Sequence, residues 1–187
     1  MRRILLTSSG FETAGIMRIF HDLLGKPPAE ARALFVPTAA IHPGGVDGIG
    51  VLPKCLNDLL RAGIPPENIG GFDLHRNMTA DELDVYDVIY FTGGDPAYLL
   101  ERINDTGFSE SLNEYVSGRG VYVGVSAGSI VAARNLPGGL GYINCTLGVH
   151  MRTGTPCGPV DQAQCPHIDL TAENVIIVRG DVCEIAE

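Results

Sequence analysis

A serine flanked by two glycines stands between an apolar run and a helix-forming run. Gly124-Val125-Ser126-Ala127-Gly128 matches G-x-S-x-G. In that pattern a strand turns into a helix so tightly that the backbone is strained, and the serine hydroxyl is left exposed at the top of a sheet. The glycines allow close packing on either side. The next residue's N–H, that of Ala127, points at the same spot and can stabilise an oxyanion. In a chain with 24 glycines, composition alone gives roughly 0.1 chance match to the pattern. The strand-then-helix context is what raises the motif above a structural glycine turn.

A serine nucleophile needs a base, usually histidine. The chain has five histidines. His21 ends a helical pattern beside Asp22 and reads as solvated. His42 follows a strand on the edge that would carry the serine. His75 follows a weaker strand. His150 closes the apolar run "CTLGV", and His167 forms an H-x-D pair with Asp169. A third group normally orients the base, yet from Ser126 to Val160 there is no Asp or Glu. Asp161, Glu173 and Asp181 are acids further on. Asn144 is a neutral candidate, as asparagine is in Cys-His-Asn sites.

The elements around these residues alternate between strand and helix. "RRILLTSSG" reads as a short buried strand and "ARALFVPTAA" as a second. Ile16, Ile19, Phe20, Leu23 and Leu24 fall on one helical face, and so do Leu52, Cys55, Leu56, Leu59 and Leu60. "NIGGFDL" is a weaker strand. Thr79 and Glu82 form a capping box. "DVIYFTGGD" is a strand apolar on both faces, which suits a covered parallel sheet. Asp95 then caps a helix that has Pro96 at its first position. A further helix carries Phe108, Leu112, Tyr115 and Val116. "GVYVGV" is a strand, and "AGSIVAAR" a helix. After residue 135 the pattern loosens: "GYINCTLGVH" and "NVIIVRGDVCEIAE" read as strands, with a Gly/Pro/Thr-rich loop between them. The sequence predicts an α/β fold, a doubly wound, mostly parallel sheet with helices on both faces, in a single domain over 1–187. Ligands in such sheets sit at the carboxyl ends of the strands. The loops to inspect are therefore "TSSG", "PTAA", "TGGD" and "GVSAG".

Bulk properties narrow the function classes. The 187 residues are 45% hydrophobic and 19% charged, as a folded domain requires. A net charge of −9 argues against nucleic acid and against an anionic membrane surface. Five cysteines without a CxxC pair argue against a disulfide framework or a zinc site, and fit a reducing, cytoplasmic compartment. Neither a signal peptide nor a membrane span is legible. No GxGxxG or GxxxxGK[ST] occurs, and "GGVDGIG" has the wrong spacing, which weakens a nucleotide-binding reading. Too few residues follow Ser126 for the later strands of an α/β-hydrolase.

"GVSAGS", with "IYFTGGDPAYLLERI", "ILLTSSGF", "FVPTAA" and "LTAENVIIVRGDVCEI", resembles the peptidase E family of serine peptidases. That family includes aspartyl dipeptidases and has cyanophycinase as a relative. The resemblance runs in order along nearly the whole chain. It implies a class I glutamine amidotransferase-like, flavodoxin-like three-layer sandwich, with serine at the elbow in place of cysteine. It implies Ser126 as nucleophile, the N–H groups of Gly94 and Ala127 as oxyanion hole, and His150 as base, because the family places its histidine after a strand in a "VH" setting. The substrate implied is a small peptide, such as a dipeptide with N-terminal Asp, and Arg152 is the first cation to meet its side chain, followed by Arg134 and Arg119. No metal or cofactor is implied, and a homo-oligomer is. The chain departs from the best-known dipeptidases, whose orienting aspartate lies between serine and histidine. Two other readings stay open: an amidotransferase-like amide or ester hydrolase, and a binding module that has lost the triad acid.

Overall fold

Strands that are apolar at every position end up covered on both faces. The computed structural model describes residues 1–43 and 50–187. Most of the loop expected at 41–50, including Gly44, Gly45 and Gly48 of "GGVDGIG", lies outside the described residues. In chain order the elements begin with β1 (Arg3–Thr7), α1 (Ala14–Leu24), β2 (Ala33–Val36), α2 (Val51–Arg61), β3 (Ile69–Gly71) and α3 (Ala80–Leu83). They continue with β4 (Val88–Phe91), α4 (Pro96–Asp105), α5 (Phe108–Ser117), β5 (Val121–Val125) and α6 (Ala127–Ala132). Then come β6 (Thr146–Gly148), β7 (Gly158–Pro159), β8 (His167–Asp169), β9 (Val175–Arg179) and β10 (Val182–Ala186).

The main sheet has the order β3-β2-β4-β5-β1-β9-β10-β7. From β3 to β1 all neighbours run parallel; from β1 onward they are antiparallel. Side chains alternate between the two faces. Ile4, Leu6, Ile89, Phe91 and Tyr122 pack with α3, α4, α5 and α6. Leu5, Tyr90, Val123 and Val125 pack with α1 and α2. The result is the three-layer α/β sandwich that the alternating pattern predicted.

Local signals account for the helix ends. Thr13 caps α1 by accepting from Ile16 N–H, and Gly25 closes it in the left-handed region. Asp95 accepts from Ala97 and Tyr98 N–H at the start of α4; such a cap contributes about 1 kcal/mol. The capping box of Thr79 and Glu82 is present.

Three details differ from the sequence pattern. On α2, Leu56 and Leu60 are 38% and 40% exposed, whereas Asp58 is buried. The helix rests on Cys55 and Leu59, and donors beneath it draw Asp58 inward. "GYINCTLGVH" yields only three strand residues, which pair with β8 in a separate two-stranded sheet. Backbone bonds from Arg134 to Cys145 and from Tyr142 to Ala132 fold that segment back against α6 instead. Finally, "NVIIVRGDVCEIAE" is a hairpin whose first strand lies antiparallel to β1. Its two-residue turn uses Gly180 at positive φ.

Candidate active site

The carboxyl ends of β1, β4 and β5 lie side by side, and Ser126 follows the last residue of β5. Its backbone adopts φ 48, ψ −99. A non-glycine residue held there stores about 1–3 kcal/mol of strain. The flanking glycines explain how the turn closes. A Cβ on Gly124 would sit 2.6 Å from the Gly128 carbonyl, and one on Gly128 would sit 2.7 Å from Phe91 Cβ. Hydrogen bonds hold the turn to β1. Ser126 N–H donates to Thr7 O at 2.9 Å. The buried Ser129 hydroxyl lies 2.8 Å from both Thr7 O and Gly124 O.

His150 reaches this serine from two residues beyond β6. Its Nε2 lies 2.9 Å from Ser126 Oγ, and its backbone is left-handed, with φ 60. Its N–H donates to Ser8 Oγ at 2.6 Å, and the same oxygen lies 3.5 Å from Nδ1. Ser8 is buried. The β1–β5 register pairs Thr7 with Val125, so the next residues, Ser8 and Ser126, emerge together. If Nε2 is to accept a proton from Ser126, Nδ1 must carry the ring hydrogen, and Ser8 Oγ is the acceptor facing it. Ser126 Oγ, the His150 ring and Ser8 Oγ line up in a relay of contacts, 2.9 Å long on the Nε2 side and 3.5 Å on the Nδ1 side.

The glycine loop after β4 borders the serine. A Cβ on Gly93 would sit 3.4 Å from Ser126 Cβ. Gly94 adopts φ 137 and presses on the β2 loop, where a Cβ would meet Ala39 O at 2.1 Å. The next residue, Asp95, donates its N–H to that same carbonyl at 2.9 Å. Neither Gly94 N–H nor Ala127 N–H has an acceptor among the described residues.

The family model for peptidase family S51 matches residues 4–143. The chain belongs to peptidase family S51. The match takes in Gly94, Ser126 and Ala127 and ends before His150. An uncharacterized peptidase of Listeria innocua is 26% identical over 144 residues, covering 73% of this chain and 62% of that relative. Peptidase E of Streptomyces coelicolor is 32% identical over 139 residues, covering 73% of this chain and 53% of its own length. The aligned part thus spans less than two thirds of these curated relatives. A crystal structure of a peptidase from an acI-B1 actinobacterium superposes with a TM-score of 0.71 at 19% identity, covering 100% of this chain and 87% of that one. A candidate peptidase E protein from Listeria monocytogenes gives 0.75 at 18%, with 100% and 98% covered. These two likenesses show the fold, a mostly parallel central sheet flanked by helices, to be the one those two structures share.

Within this S51 chain the remaining candidates fall elsewhere. His167 bonds Asp169 at 3.1 Å and Thr146 at 2.9 Å across the small sheet. His42 lies 3.9 Å from Asp95 and packs its ring on Tyr98. His21 bonds Ala62 O, and His75 pairs with Asp73. Among the described residues none of the three candidate acids contacts His150: Asp161 caps the 162–164 turn, Asp181 reaches Arg2 at the opposite edge of the sheet, and Glu173 is exposed in the 171–174 turn. Asn144 is held by Arg134 and Gln162. Arg119 precedes β5, also at the far edge. Arg152 is exposed two residues past His150 and makes no hydrogen bond or ion pair among the described residues. All five cysteines are free thiols. Desolvation pushes Cys145 up to about 11 and Cys183 to about 12, so both stay protonated at neutral pH. Burial likewise raises Cys55.

Ser8 is the residue that sequence reading missed. The alternating pattern puts its loop, "TSSG", at the carboxyl edge of the sheet, but nothing in the pattern ties the Ser8 hydroxyl to a histidine 142 positions away. Only the strand register does so.

Proposed function

We propose that this chain hydrolyses short peptides through an acyl-enzyme on Ser126, with N-terminal aspartyl dipeptides as the preferred class. Ser126 Oγ attacks the peptide carbonyl and passes its proton to His150 Nε2. The N–H groups of Gly94 and Ala127 stabilise the oxyanion. His150 returns the proton to the leaving amine as the C–N bond breaks. A water molecule then gives a proton to His150 and attacks the ester, and return of that proton to Ser126 frees the acid. Ser8 holds the Nδ1–H tautomer throughout. Arg152, solvent-facing and without a partner among the described residues, supplies the cation for the substrate carboxylate.

What carries this reading is the 2.9 Å approach of His150 Nε2 to Ser126 Oγ at a strained strand-to-helix turn. The test is hydrolysis of a chromogenic aspartyl amide by wild type and by Ser126→Ala. Turnover should fall by about 10⁴-fold or more in the variant. Equal turnover in both would remove Ser126 from the chemistry. The neutral hydroxyl behind His150 favours one second reading, a module that binds peptides without cleaving them. A wild type that binds the aspartyl amide, never hydrolyses it and takes no serine-reactive label would support that reading.

A further inference from the structure

The polar groups buried beneath α2 lie under both loops that border Ser126, and the mechanism above uses none of them. Asp58 is 2% exposed, a costly position for a carboxylate unless donors surround it. Its Oδ2 accepts from Phe11 N–H at 3.0 Å and from Tyr90 O–H at 2.8 Å. Gly10 lets the chain come this close, since a Cβ there would sit 2.1 Å from the same oxygen, and its φ is 91. Gly10 N–H donates in turn to Thr7 Oγ1 at 3.0 Å. The segment that carries Ser8 is thus fixed at both ends, by the β1–β5 pair at Thr7 and by Asp58 at Phe11. Tyr90 belongs to β4 and precedes the Gly93-Gly94 loop by three residues. The Cys55 thiol lies beside the Tyr90 hydroxyl and the Gly93 amide.

We propose that Asp58 is a positioning residue for the Ser126–His150–Ser8 arrangement: through Phe11 and Gly10 it fixes the loop that holds Ser8, and through Tyr90 it ties that loop to the strand entering Gly93-Gly94. The proposal rests on the reading of Ser126 as nucleophile and His150 as base. Asp58 acts from behind the site, with the backbone of residues 8–11 between it and the histidine. Burial pushes its carboxyl above the usual range, opposed by the Phe11 and Tyr90 hydrogen bonds and by Arg61 at 4.0 Å. The energetic logic is that of preorganisation: a small displacement of Ser8 misaligns the His150 ring, and misalignment near 1 Å can cost about 100-fold in rate.

The experiment follows the rate at which a fluorophosphonate labels Ser126, with Ser126→Ala as the zero. Asp58→Asn keeps an acceptor for Phe11 N–H and should label within about threefold of wild type. Tyr90→Phe removes one hydrogen bond and should label about fivefold more slowly. Asp58→Ala removes the acceptor that Phe11 N–H and Tyr90 O–H share and should label roughly 10- to 100-fold more slowly. Folded fractions are matched by circular dichroism, and the probe concentration giving half-maximal rate should not move, because the probe does not touch Asp58. Folded Asp58→Ala labelled as fast as wild type overturns the proposal. If that variant does not fold, Tyr90→Phe labelled as fast as wild type overturns it. A wild type that takes no label fails earlier: it removes the reading of Ser126 as nucleophile, and the positioning role goes with it.

Discussion

The two halves of the candidate site are built differently. Ser126 stands on the parallel part of the main sheet, where its neighbours are buried strand residues and the turn is locked by Thr7, Gly124 and Ser129. His150 stands on an arm, residues 144–174, that contains only short strands. There Met151 N–H bonds Leu170 O, Thr155 and Asp169 exchange hydrogen bonds, and Asn174 reaches Thr155 O. Ser126 is therefore held by the cooperative parallel sheet, whereas His150 is held by the Ser8 hydroxyl, by local bonds within the arm and by the short β7–β10 pairing at the antiparallel edge of the main sheet. Strain can be stored only where the surroundings over-determine the backbone. The sheet half meets that condition through its strand ladder, whereas the arm reaches the core mainly through Cys145, Leu147, Ile168 and Leu170 and has fewer backbone bonds to fix it.

The sharpest way to break the contrast is to put a methyl group into the elbow. In Gly124→Ala the new Cβ would meet only backbone atoms, 2.6–2.8 Å away at Gly128 and Ser129. It should destabilise the whole domain by about 2–3 kcal/mol, read by urea unfolding, and abolish labelling of Ser126. Removing Ser8 should do the reverse. Ser8→Ala is expected to lower kcat about tenfold with stability changed by less than about 1 kcal/mol, since it leaves the His150 ring free to turn. Next in size is Asn174→Ala. It removes an acceptor for Thr171 N–H and a donor to Thr155 O, and should cost about 1 kcal/mol. Hydrogen exchange should quicken across 150–174 and stay unchanged at β4 and β5. Uniform acceleration would mean that the arm and the sheet open as one unit.

The smallest effect belongs to a site outside both halves. The Arg76 hydrogen bond and the Thr79 N–H lower Glu82 from 4.5 to about 2. A lowered carboxyl stabilises the fold above its unfolded value and loses that contribution as pH falls through the folded one. Glu82→Gln should therefore be slightly less stable than wild type above pH 4.5, with the gap closing towards pH 2. Added salt should shrink the gap, because the pair is exposed.

The same division governs how much the sequence discloses. Elements up to residue 135 carry strong periodicity and caps, and "DVIYFTGGD", "GVYVGV" and the Thr79–Glu82 box appear where the pattern put them. Ser126 was legible because an elbow needs glycines at fixed offsets. Asp58 was not, because it lies among the leucines of α2 and its reason for being buried is a backbone N–H from another loop. The arm has little periodicity to read. His150 came from family resemblance, and Ser8 required knowing which strands are neighbours.

If elbow and arm make one working unit, Ser8 acts only through the His150 ring. A double-mutant cycle decides this: fluorophosphonate labelling rates for wild type, Ser8→Ala, His150→Ala and the pair. Ser8→Ala alone should slow labelling about tenfold and His150→Ala about 100-fold or more, and the double variant should match His150→Ala, because Ser8 then has no ring to orient. Losses that multiply in the double variant would show Ser8 acting independently of the histidine and would contradict the relay.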